Sequence, residues 1–468
     1  MPSRRVLLWA CVLLAGASAG CYRAMPLSPA AVEQALAPPR LDAIRVQAQA
    51  LQHPILRPIA FDERDGLSPD EAAVLAVLAN PSLRAVRDQR GIAAAQVIQA
   101  GILPNPVFTY DIERPHTEPG EVPGFNRGIE WEVTSLIALG AKIAAANSQA
   151  RSVDLDVAWQ EWQAAESAKT AVYTRLAQEA QLEKARAIDE HLRQHAALIE
   201  KAVEARQATV VELASAEAAR QEARAAVLGL ERGVARQSLA LNRLLGLPAE
   251  AEVTLQKDIA WPTAAAVPPR EELLKGLEER RLDLVALRRG YESQESTVLA
   301  AMLSQFPKVT LGHHRGRDFG NFGFRGPSVS AEIPVFDHNQ GAIAVEKANR
   351  QKLFDEYMSR VFEARSEIAA LCGEIDSVTA EVAAAEAAVP ALERLVATYE
   401  QAVAGGQVPI PALYTARGDL ARKQLDALKL KQELAEMIIE LETLAGRYLP
   451  ASPPPAAGGP AQQKEALP

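Results

Sequence analysis

Apolar side chains recur at spacings of three and four residues over most of the chain, which is the pattern of helices packed against one another. The most regular stripe covers 354–403, and its partner covers 413–448. The first half repeats this arrangement less strictly over 140–205 and 213–244. A helix of about 65 residues extends roughly 100 Å. The pattern therefore predicts two long coiled-coil hairpins.

Four short runs between the helices instead alternate apolar and polar residues, which is the period of β-strands. They form two pairs, within 106–134 and 308–336, and a loop rich in Gly, Pro or Asn joins each pair. The polar positions carry the acids Asp111, Glu113, Glu130, Glu132 and Glu332. Alternation of this kind suits a membrane β-barrel with a wet lumen. Acids in a narrow lumen concentrate cations, although any lumen needs polar residues.

Four strands are too few to close a barrel around a pore, and open strand edges are not tolerated in lipid. If these strands cross a membrane, the chain must assemble with copies of itself, and a symmetric ring is the simplest closure. The alternative is that the two hairpins cap a soluble helical rod.

The two halves of the sequence resemble each other. The segment 206–213 aligns with 406–413, and 80–87 aligns with 281–288. This repeat predicts one structural block used twice. The expected organisation is a signal peptide (1–20), an N-terminal segment (21–65), a first repeat (66–248, with a β-hairpin at 106–134 and a coiled-coil hairpin at 140–246), a linker (249–269), a second repeat (270–449, with a β-hairpin at 308–336 and a coiled-coil hairpin at 341–448) and a disordered tail (450–468).

The N-terminus has the features of a secretory signal. Arg4 and Arg5 precede an apolar stretch at 6–17, which is too short to span a bilayer as a mature helix. Small residues then precede Cys21, so that this cysteine resembles the lipidated first residue of a bacterial lipoprotein. Cleavage after Ala19 is the alternative. One lipidated residue anchors a chain without spanning the membrane.

Composition and charge exclude several functions. The net charge of −9 gives no basic footprint for nucleic acid. We find no catalytic constellation, so we do not expect an enzyme, and we expect no cofactor apart from a lipid on Cys21. His191 and His195 with Glu190 could chelate a divalent ion, but such pairs on a polar helix face are usually solvated. His313-His314, at the end of a strand, could touch metal ions at the barrel mouth, although this is the weaker interpretation. No metal site is predicted.

Three motifs resemble the TolC family of bacterial outer-membrane efflux ducts, and the resemblance covers about 66–449. They are Leu67-Ser-Pro-Asp-Glu-Ala72 with Asn80-Pro81, Ala100-Gly-Ile-Leu-Pro-Asn-Pro106, and Ser330-Ala-Glu-Ile-Pro-Val-Phe-Asp-His-Asn-Gln-Gly341. The third motif is most similar to the heavy-metal branch, whose members serve cobalt–zinc–cadmium or copper–silver pumps. The resemblance implies a mainly α fold with internal duplication, closed as a homotrimer. Three chains of four strands would form a twelve-stranded barrel above a coiled-coil α-barrel.

The resemblance also implies that the two helical turns are periplasmic tips that dock an adaptor protein and hold the gate. The matching residues are Arg206, Gln207, Leu213, Gly405, Gly406, Gln407, Pro409, Pro411, Leu413 and Tyr414. Relatives close the tip with an acidic ring, but the corresponding positions here are Pro411 and Tyr414, and the nearest acid is Asp419. We therefore expect Tyr414 and the turn at Pro409 and Pro411 to form the narrowing.

The expected function is a passive outer-membrane duct of a tripartite efflux system, extending into the periplasm. Its partners would be two further copies of the chain, an adaptor, an inner-membrane pump of the resistance-nodulation-division class and outer-membrane lipid. The exported substrate could be heavy-metal cations, drugs or other small molecules. The alternative is a periplasmic coiled-coil adaptor or scaffold without a pore.

Overall fold

The computed structural model describes residues 24–37, 40–62, 64–114, 122–405 and 407–449. The predicted signal peptide, Cys21, Gly406 and the tail lie outside these residues. The described residues divide into two units between Arg40 and Leu41. The first contains helix α1, Pro29–Leu36, which begins at Ser28; its side chain accepts a hydrogen bond from the backbone N–H of Ala31.

The second unit is mainly helical with one four-stranded sheet. Its elements are α2 (Leu41–Gln49), α3 (Pro69–Ala79), α4 (Pro81–Ala100), β1 (Val107–Glu113), β2 (Gly124–Glu132), α5 (Ser135–Glu204), α6 (Val210–Leu244), α7 (Arg270–Leu274), α8 (Leu277–Arg280), α9 (Leu282–Leu303), β3 (Val309–Arg317), β4 (Gly323–Ala331), α10 (Gln340–Ala404) and α11 (Ile410–Ala445). None of the described helices combines the length and the apolar character needed to cross a membrane.

Four long helices form the two predicted coiled-coil hairpins, α5 with α6 and α10 with α11. Helix α5 has 70 residues and α10 has 65, and α10 continues through Pro390. The stripe predicted along α10 is the buried one, and includes Val361, Ile368, Ile375 and Val382. Burial of this stripe, rather than helix propensity alone, makes helices of this length stable.

The sheet has the strand order β1-β2-β3-β4, and all neighbouring strands are antiparallel. The two hairpins predicted from separate halves of the sequence therefore pair with each other through β2 and β3. Within the described residues, β1 and β4 each have one edge without a backbone partner.

The duplication is visible where the returning helices end. Gly246 follows α6 and Gly446 follows α11, both with positive φ (66° and 62°). A Cβ at Gly246 would lie 2.5 Å from the carbonyl oxygen of Ala79, and one at Gly446 would lie 3.1 Å from the Cα of Arg281. Each glycine thus lies against a helix junction, α3–α4 in the first half and α8–α9 in the second. These are the junctions at Asn80-Pro81 and Arg281-Leu282 that align in the sequence.

Each half has its own main core. Residues of α2, α3, α5 and α6 form the first, and residues of α7 to α11 form the second. The predicted linker takes part as well, because Leu255 is buried in the first core and forms an isolated parallel bridge with Leu67. A 3₁₀-helix, Ala264–Ala266, completes this segment.

Candidate functional site

The five strand acids lie on one side of the sheet. Val107 of β1 pairs with Glu130 of β2, and Glu130 also pairs with Gly312 of β3. Directly paired residues point to the same side of a sheet, and alternate residues share that side. The backbone N–H of Glu332 continues the ladder beyond β4 by donating to Lys308 at 3.0 Å. The surface so defined, called the acidic face, carries Asp111, Glu113, Glu130, Glu132 and Glu332.

Apart from Val107, His314 and Phe324, the rest of the acidic face consists of glycines and small polar residues. A Cβ added at Gly312 would lie 2.5 Å from Ser328 Oγ and 2.9 Å from Glu130 Cγ. Gly128 and Gly316 are similarly close to side chains of neighbouring strands. A side chain at these positions would therefore displace its neighbours, which explains the glycines.

Two of the five acids have local partners. Glu132 Oε1 accepts a hydrogen bond of 2.9 Å from the backbone N–H of Ser135, which fixes the start of α5. Glu332 lies 3.5 Å from Lys308 Nζ, with both side chains exposed. Asp111, Glu113 and Glu130 have neither a hydrogen bond nor an ion pair with any residue that the structure describes. Their carboxylates are therefore available to solvent and ions.

The opposite side of the sheet, called the apolar face, exposes large hydrophobic side chains. Phe108 is 69% exposed and Val329 is 71% exposed. The other large members are Tyr110, Ile112, Ile129 and Leu311. Exposed apolar surface of this extent marks contact with a protein or a membrane.

The predicted end of the first coiled-coil hairpin is a short, well-defined turn. Helix α5 closes with a hydrogen bond of 2.7 Å from Gln207 N–H to the Ala202 carbonyl, and Arg206 has a φ of 57°. Helix α6 then begins with a capping box, in which Glu212 Oε2 accepts from Thr209 N–H at 2.7 Å and Thr209 Oγ1 accepts from Glu212 N–H at 3.2 Å. Arg206 and Gln207 are exposed at this end.

Two exposed valines beside this turn were missed by sequence reasoning. Val210 and Val211 are 71% and 74% exposed, whereas Leu213 is half-buried and packs with Ile199 and Ala216. Their position in the sequence could have identified them, because both valines precede the apolar stripe that begins at Leu213 and do not belong to it.

The end of the second hairpin is built differently. Gln407 N–H donates to the Ala402 carbonyl at 2.9 Å, as Gln207 does in the first half. Helix α11 begins at Pro409 without a side-chain cap, and Pro411 lies in its first turn. Gly405 is exposed and ends α10. Proline geometry therefore replaces the capping box here.

Leu413 and Tyr414 lie inside the structure of this end rather than on its tip. Leu413 is buried with Val396 and Ala416. Tyr414 is half-buried and stacks on His195 of α5, with ring centroids 3.7 Å apart. Tyr414 therefore joins the second hairpin to the first.

A cavity of about 590 Å³ lies beside this contact, between α5, α6 and α11. Its lining includes Glu222, Asp419 and Arg422, and Arg422 is 3.7 Å from Asp419. Asp419, the acid nearest to the expected gate, thus faces this cavity with a basic partner beside it.

A buried charged cluster also joins the halves, and sequence analysis did not identify it. Lys169 Nζ of α5 donates to Glu442 Oε2 of α11 and lies 3.9 Å from Glu166 Oε2. Glu166 is 2% exposed, and neither of its side-chain oxygens has a hydrogen-bond partner among the described residues. Burial and the nearby Glu442 raise the pKa of Glu166 despite the opposing effect of Lys169. The sequence offered little evidence for this cluster, because Glu166 and Lys169 are only two charged residues within an alanine-rich stretch.

The histidines considered as metal ligands do not gather around an ion site. Glu190 instead accepts hydrogen bonds from Arg193 and Gln194, and His195 stacks on Tyr414. His313 and His314 point to opposite faces of β3, because they are consecutive. In the part of the chain that the structure describes, no three His, Cys, Asp or Glu side chains are arranged to hold a metal ion.

Comparison with known proteins agrees with this architecture. Residues 273–447 match the family model of the outer membrane efflux protein. No curated protein gives a significant sequence match to the chain. Among solved structures, that of CusC, described with its transmembrane channel formation, is 17% identical, covers 85% of this chain and 97% of its own, and has a TM-score of 0.66.

Two further structures are similar to the same extent. The outer membrane protein VceC from Vibrio cholerae is 18% identical, with a TM-score of 0.67 over 81% of this chain and 96% of its own. The outer-membrane channel OprN is 16% identical, with a TM-score of 0.68 over 91% of this chain and 98% of its own. The chain therefore has the fold that these outer-membrane proteins share, and its residues 273–447 carry the sequence pattern of outer membrane efflux proteins.

Proposed function

We propose that this chain is the outer-membrane channel of a tripartite efflux system and works as a homotrimer. It would carry out no reaction: an inner-membrane pump would supply the energy, and a periplasmic adaptor would connect the pump to the channel. The observation that carries the proposal is the two-sided sheet, with an exposed apolar face opposite an acidic face.

The dimensions of the sheet support a membrane location. Strands β2, β3 and β4 have nine residues each. Nine residues extend roughly 30 Å, which projects to about 21–25 Å along the membrane normal at the tilt of outer-membrane barrels and is comparable with their apolar band of about 25 Å. The apolar face would then contact lipid and the acidic face would line the lumen. A scaffold without a pore would leave Phe108 and Val329 in water.

Closure requires other copies of the chain, because β1 and β4 have open edges. The β4 edge of one protomer would pair with the β1 edge of the next in a cyclic ring. Three copies, as the family resemblance implies, would give twelve strands. A lipid on Cys21 would add a second attachment to the same membrane.

The helical hairpins would form the periplasmic tunnel. Helix α5, with 70 residues, is roughly 105 Å long. The adaptor would dock at the hairpin ends, where Arg206 and Gln207 are exposed next to Val210 and Val211. An apolar pair rimmed by polar groups is the usual composition of a protein interface.

We further propose that the lumen favours cations, with heavy-metal ions as the first substrate class to test. Asp111, Glu113 and Glu130 carry this proposal, because these exposed or half-buried carboxylates have no partner among the described residues. The motif at 330–341 supports the metal branch, and drugs or other small molecules are the remaining candidates.

The test is purification from outer membranes, followed by conductance in planar bilayers. We expect a detergent-extracted trimer that conducts and prefers cations. A soluble monomer would refute the channel. The triple variant Asp111→Asn, Glu113→Gln, Glu130→Gln should conduct with a reduced cation preference, whereas Glu332→Gln, whose carboxylate is paired with Lys308, should change it less. Anion selectivity of the unmodified channel would refute the cation proposal alone.

The position of the gate has its own test. Tyr414→Ala should raise the conductance if Tyr414, with the turn at Pro409 and Pro411, narrows the periplasmic end. Unchanged conductance would remove Tyr414 from the narrowing.

A further inference from the structure

The charged residues of the four strands are sorted by sign between the two faces. Every strand acid lies on the acidic face, and every strand arginine lies on the apolar face. Three of the arginines form a single row: Arg127 of β2 pairs with Arg315 of β3, and Arg315 pairs with Arg325 of β4. Tyr110 of β1 pairs with Arg127 and completes the row.

This arginine row, Arg127, Arg315 and Arg325, lacks an internal counter-charge. All three side chains are exposed. No carboxylate of a residue that the structure describes forms an ion pair with any of them. Neighbouring strands are about 4.8 Å apart, and like charges directly opposite each other destabilise a sheet. An external anion lying against the row would offset this repulsion.

The row lies in the half of the sheet nearer the loops, where it is the second row of this face, and Ile112 and Phe125 lie in the first. Phe108 and Ile129 lie in the next row towards the helices, and Leu311 and Val329 lie in the row after that. Each step of two residues along a strand is roughly 6.8 Å. An arginine on the lipid side of a barrel costs about 2–4 kcal/mol at the bilayer centre but only about 0–1 kcal/mol near the interface. The row therefore belongs at the headgroup level of the leaflet on the loop side.

The fourth arginine of this face has a different environment. Arg317, one row closer to the loop, donates from Nη2 to the Pro123 carbonyl at 3.3 Å and lies over the Phe125 ring at 5.6 Å. Its side chain holds the end of the hairpin. The difference makes Arg317 a matched control for the three exposed arginines.

We propose that the arginine row binds the phosphate groups of anionic lipid in the outer leaflet. Guanidinium groups bind phosphate oxygens in a bidentate manner, and three of them on adjacent strands form a continuous donor surface. Tyr110 contributes an aromatic ring with a polar tip at the same level, as in the aromatic girdles of barrels. This inference rests on the proposed membrane location of the sheet.

The test uses the purified full-length protein and vesicles of phosphatidylcholine with or without diphosphoryl lipid A. We expect binding to the phosphorylated vesicles, and at least about tenfold weaker binding by the triple variant Arg127→Gln, Arg315→Gln, Arg325→Gln, because each basic residue near an anionic surface contributes about 1 kcal/mol. Arg317→Gln should retain the binding. Inorganic phosphate should not compete at equal phosphate concentration, because the row is matched to phosphates held in a membrane plane.

Equal binding by the triple variant, equal binding to vesicles with dephosphorylated lipid A, or full competition by inorganic phosphate would each overturn the inference. Conductance of the triple variant in phosphatidylcholine bilayers shows that it has folded. A wild-type protein that conducts but ignores lipid phosphate contradicts this inference alone, whereas a protein that never enters membranes contradicts the proposed channel.

Discussion

Lys169 of α5 donates a hydrogen bond to Glu442 of α11, so that a buried ion pair joins the first half of the chain to the second. Glu442 also accepts a hydrogen bond of 2.9 Å from the backbone N–H of Leu449, which holds the segment after α11. The corresponding residue of the first half, Asn242, does the same for its own segment by donating to the carbonyl of Ala251 at 2.8 Å. The second half thus carries a charge where the first half has a neutral amide, and Lys169 compensates this charge.

Replacing Lys169 with Met should be strongly destabilising. The change leaves Glu442 buried without its counter-charge, and removal of one partner of a buried pair costs about 3–5 kcal/mol. Denaturant unfolding followed by circular dichroism would measure the loss. The double variant Lys169→Met, Glu442→Gln should recover much of it, because Gln keeps an acceptor for Leu449. If both variants lose the same stability, the ion pair does not make the contribution that we assign to it.

Glu166 should make the fold less stable as the pH rises. Its pKa is raised in the folded chain, so that above the ordinary carboxyl pKa the unfolded chain releases a proton that the folded chain retains. The stabilising contribution of this group is complete below about pH 4.3 and is lost as the pH rises through the folded pKa. Glu166→Gln should therefore be less sensitive to alkaline pH than the wild type. Parallel stability curves for the two proteins between pH 5 and 9 would contradict the assignment.

The two glycines at the helix ends allow a comparison between the halves. Gly246→Ala and Gly446→Ala both place a side chain at positive φ, which costs about 1–2 kcal/mol. Gly246→Ala should cost more, because its Cβ would lie 2.5 Å from a backbone oxygen, whereas the nearest atom to a Cβ at Gly446 is 3.1 Å away. Thermal unfolding of the two variants measures the difference. An equal loss of stability would mean that the α3–α4 junction moves away from the added methyl group.

The hairpins and strands could be predicted from the sequence because each depends on a local period. The pairing of α5 with α11 could not. Besides the stacking of Tyr414 on His195, it includes isolated polar contacts: Thr174 donates to Glu436 at 2.5 Å and Gln181 to Gln432 at 3.0 Å, in addition to the Lys169–Glu442 pair. As the residue numbers rise along α5, those of their partners fall along α11, so the helices are antiparallel. A period identifies the face that is buried, but it does not identify the helix that covers it.

The acids of the candidate site were predicted for the same reason, since strand alternation alone assigns them to one face. The arginine row was missed because its members come from three strands in both halves of the chain, and only the register between β2 and β3 aligns them. Leu413 and Tyr414 were expected at a docking tip, but the sequence did not reveal that Val396 and His195 cover them.

The first hairpin turn should depend on its cap more than the second does. Thr209→Ala removes the acceptor that begins α6 and should cost roughly 1 kcal/mol of local stability. Amide hydrogen exchange over 202–213 measures this opening. Pro409→Ala is the matched change at the second turn, where no side chain caps the helix. It should change amide exchange over 402–413 less than Thr209→Ala changes exchange over 202–213. Equal effects at both turns would show that the capping box contributes nothing specific.

The contact between His195 and Tyr414 should weaken in acid. Burial lowers the pKa of His195, so that the unfolded or locally opened chain binds a proton more readily than the closed one. The contribution of the neutral ring is complete above about pH 6.5 and is lost as the pH falls towards the folded pKa. Amide exchange over 188–199 and 411–422 should therefore accelerate between pH 7 and 5.

Other charged groups lie close to this contact, because Glu222, Asp419 and Arg422 line the adjacent cavity and Arg417 lies over the Tyr414 ring. The control variant must therefore remove the titration of His195 and leave these groups unchanged. His195→Phe keeps an aromatic surface for Tyr414 and does not titrate, and it should abolish the acceleration. If the Phe variant opens in acid to the same extent as the wild type, the carboxylates around the cavity, rather than His195, carry the pH dependence of this end of the molecule.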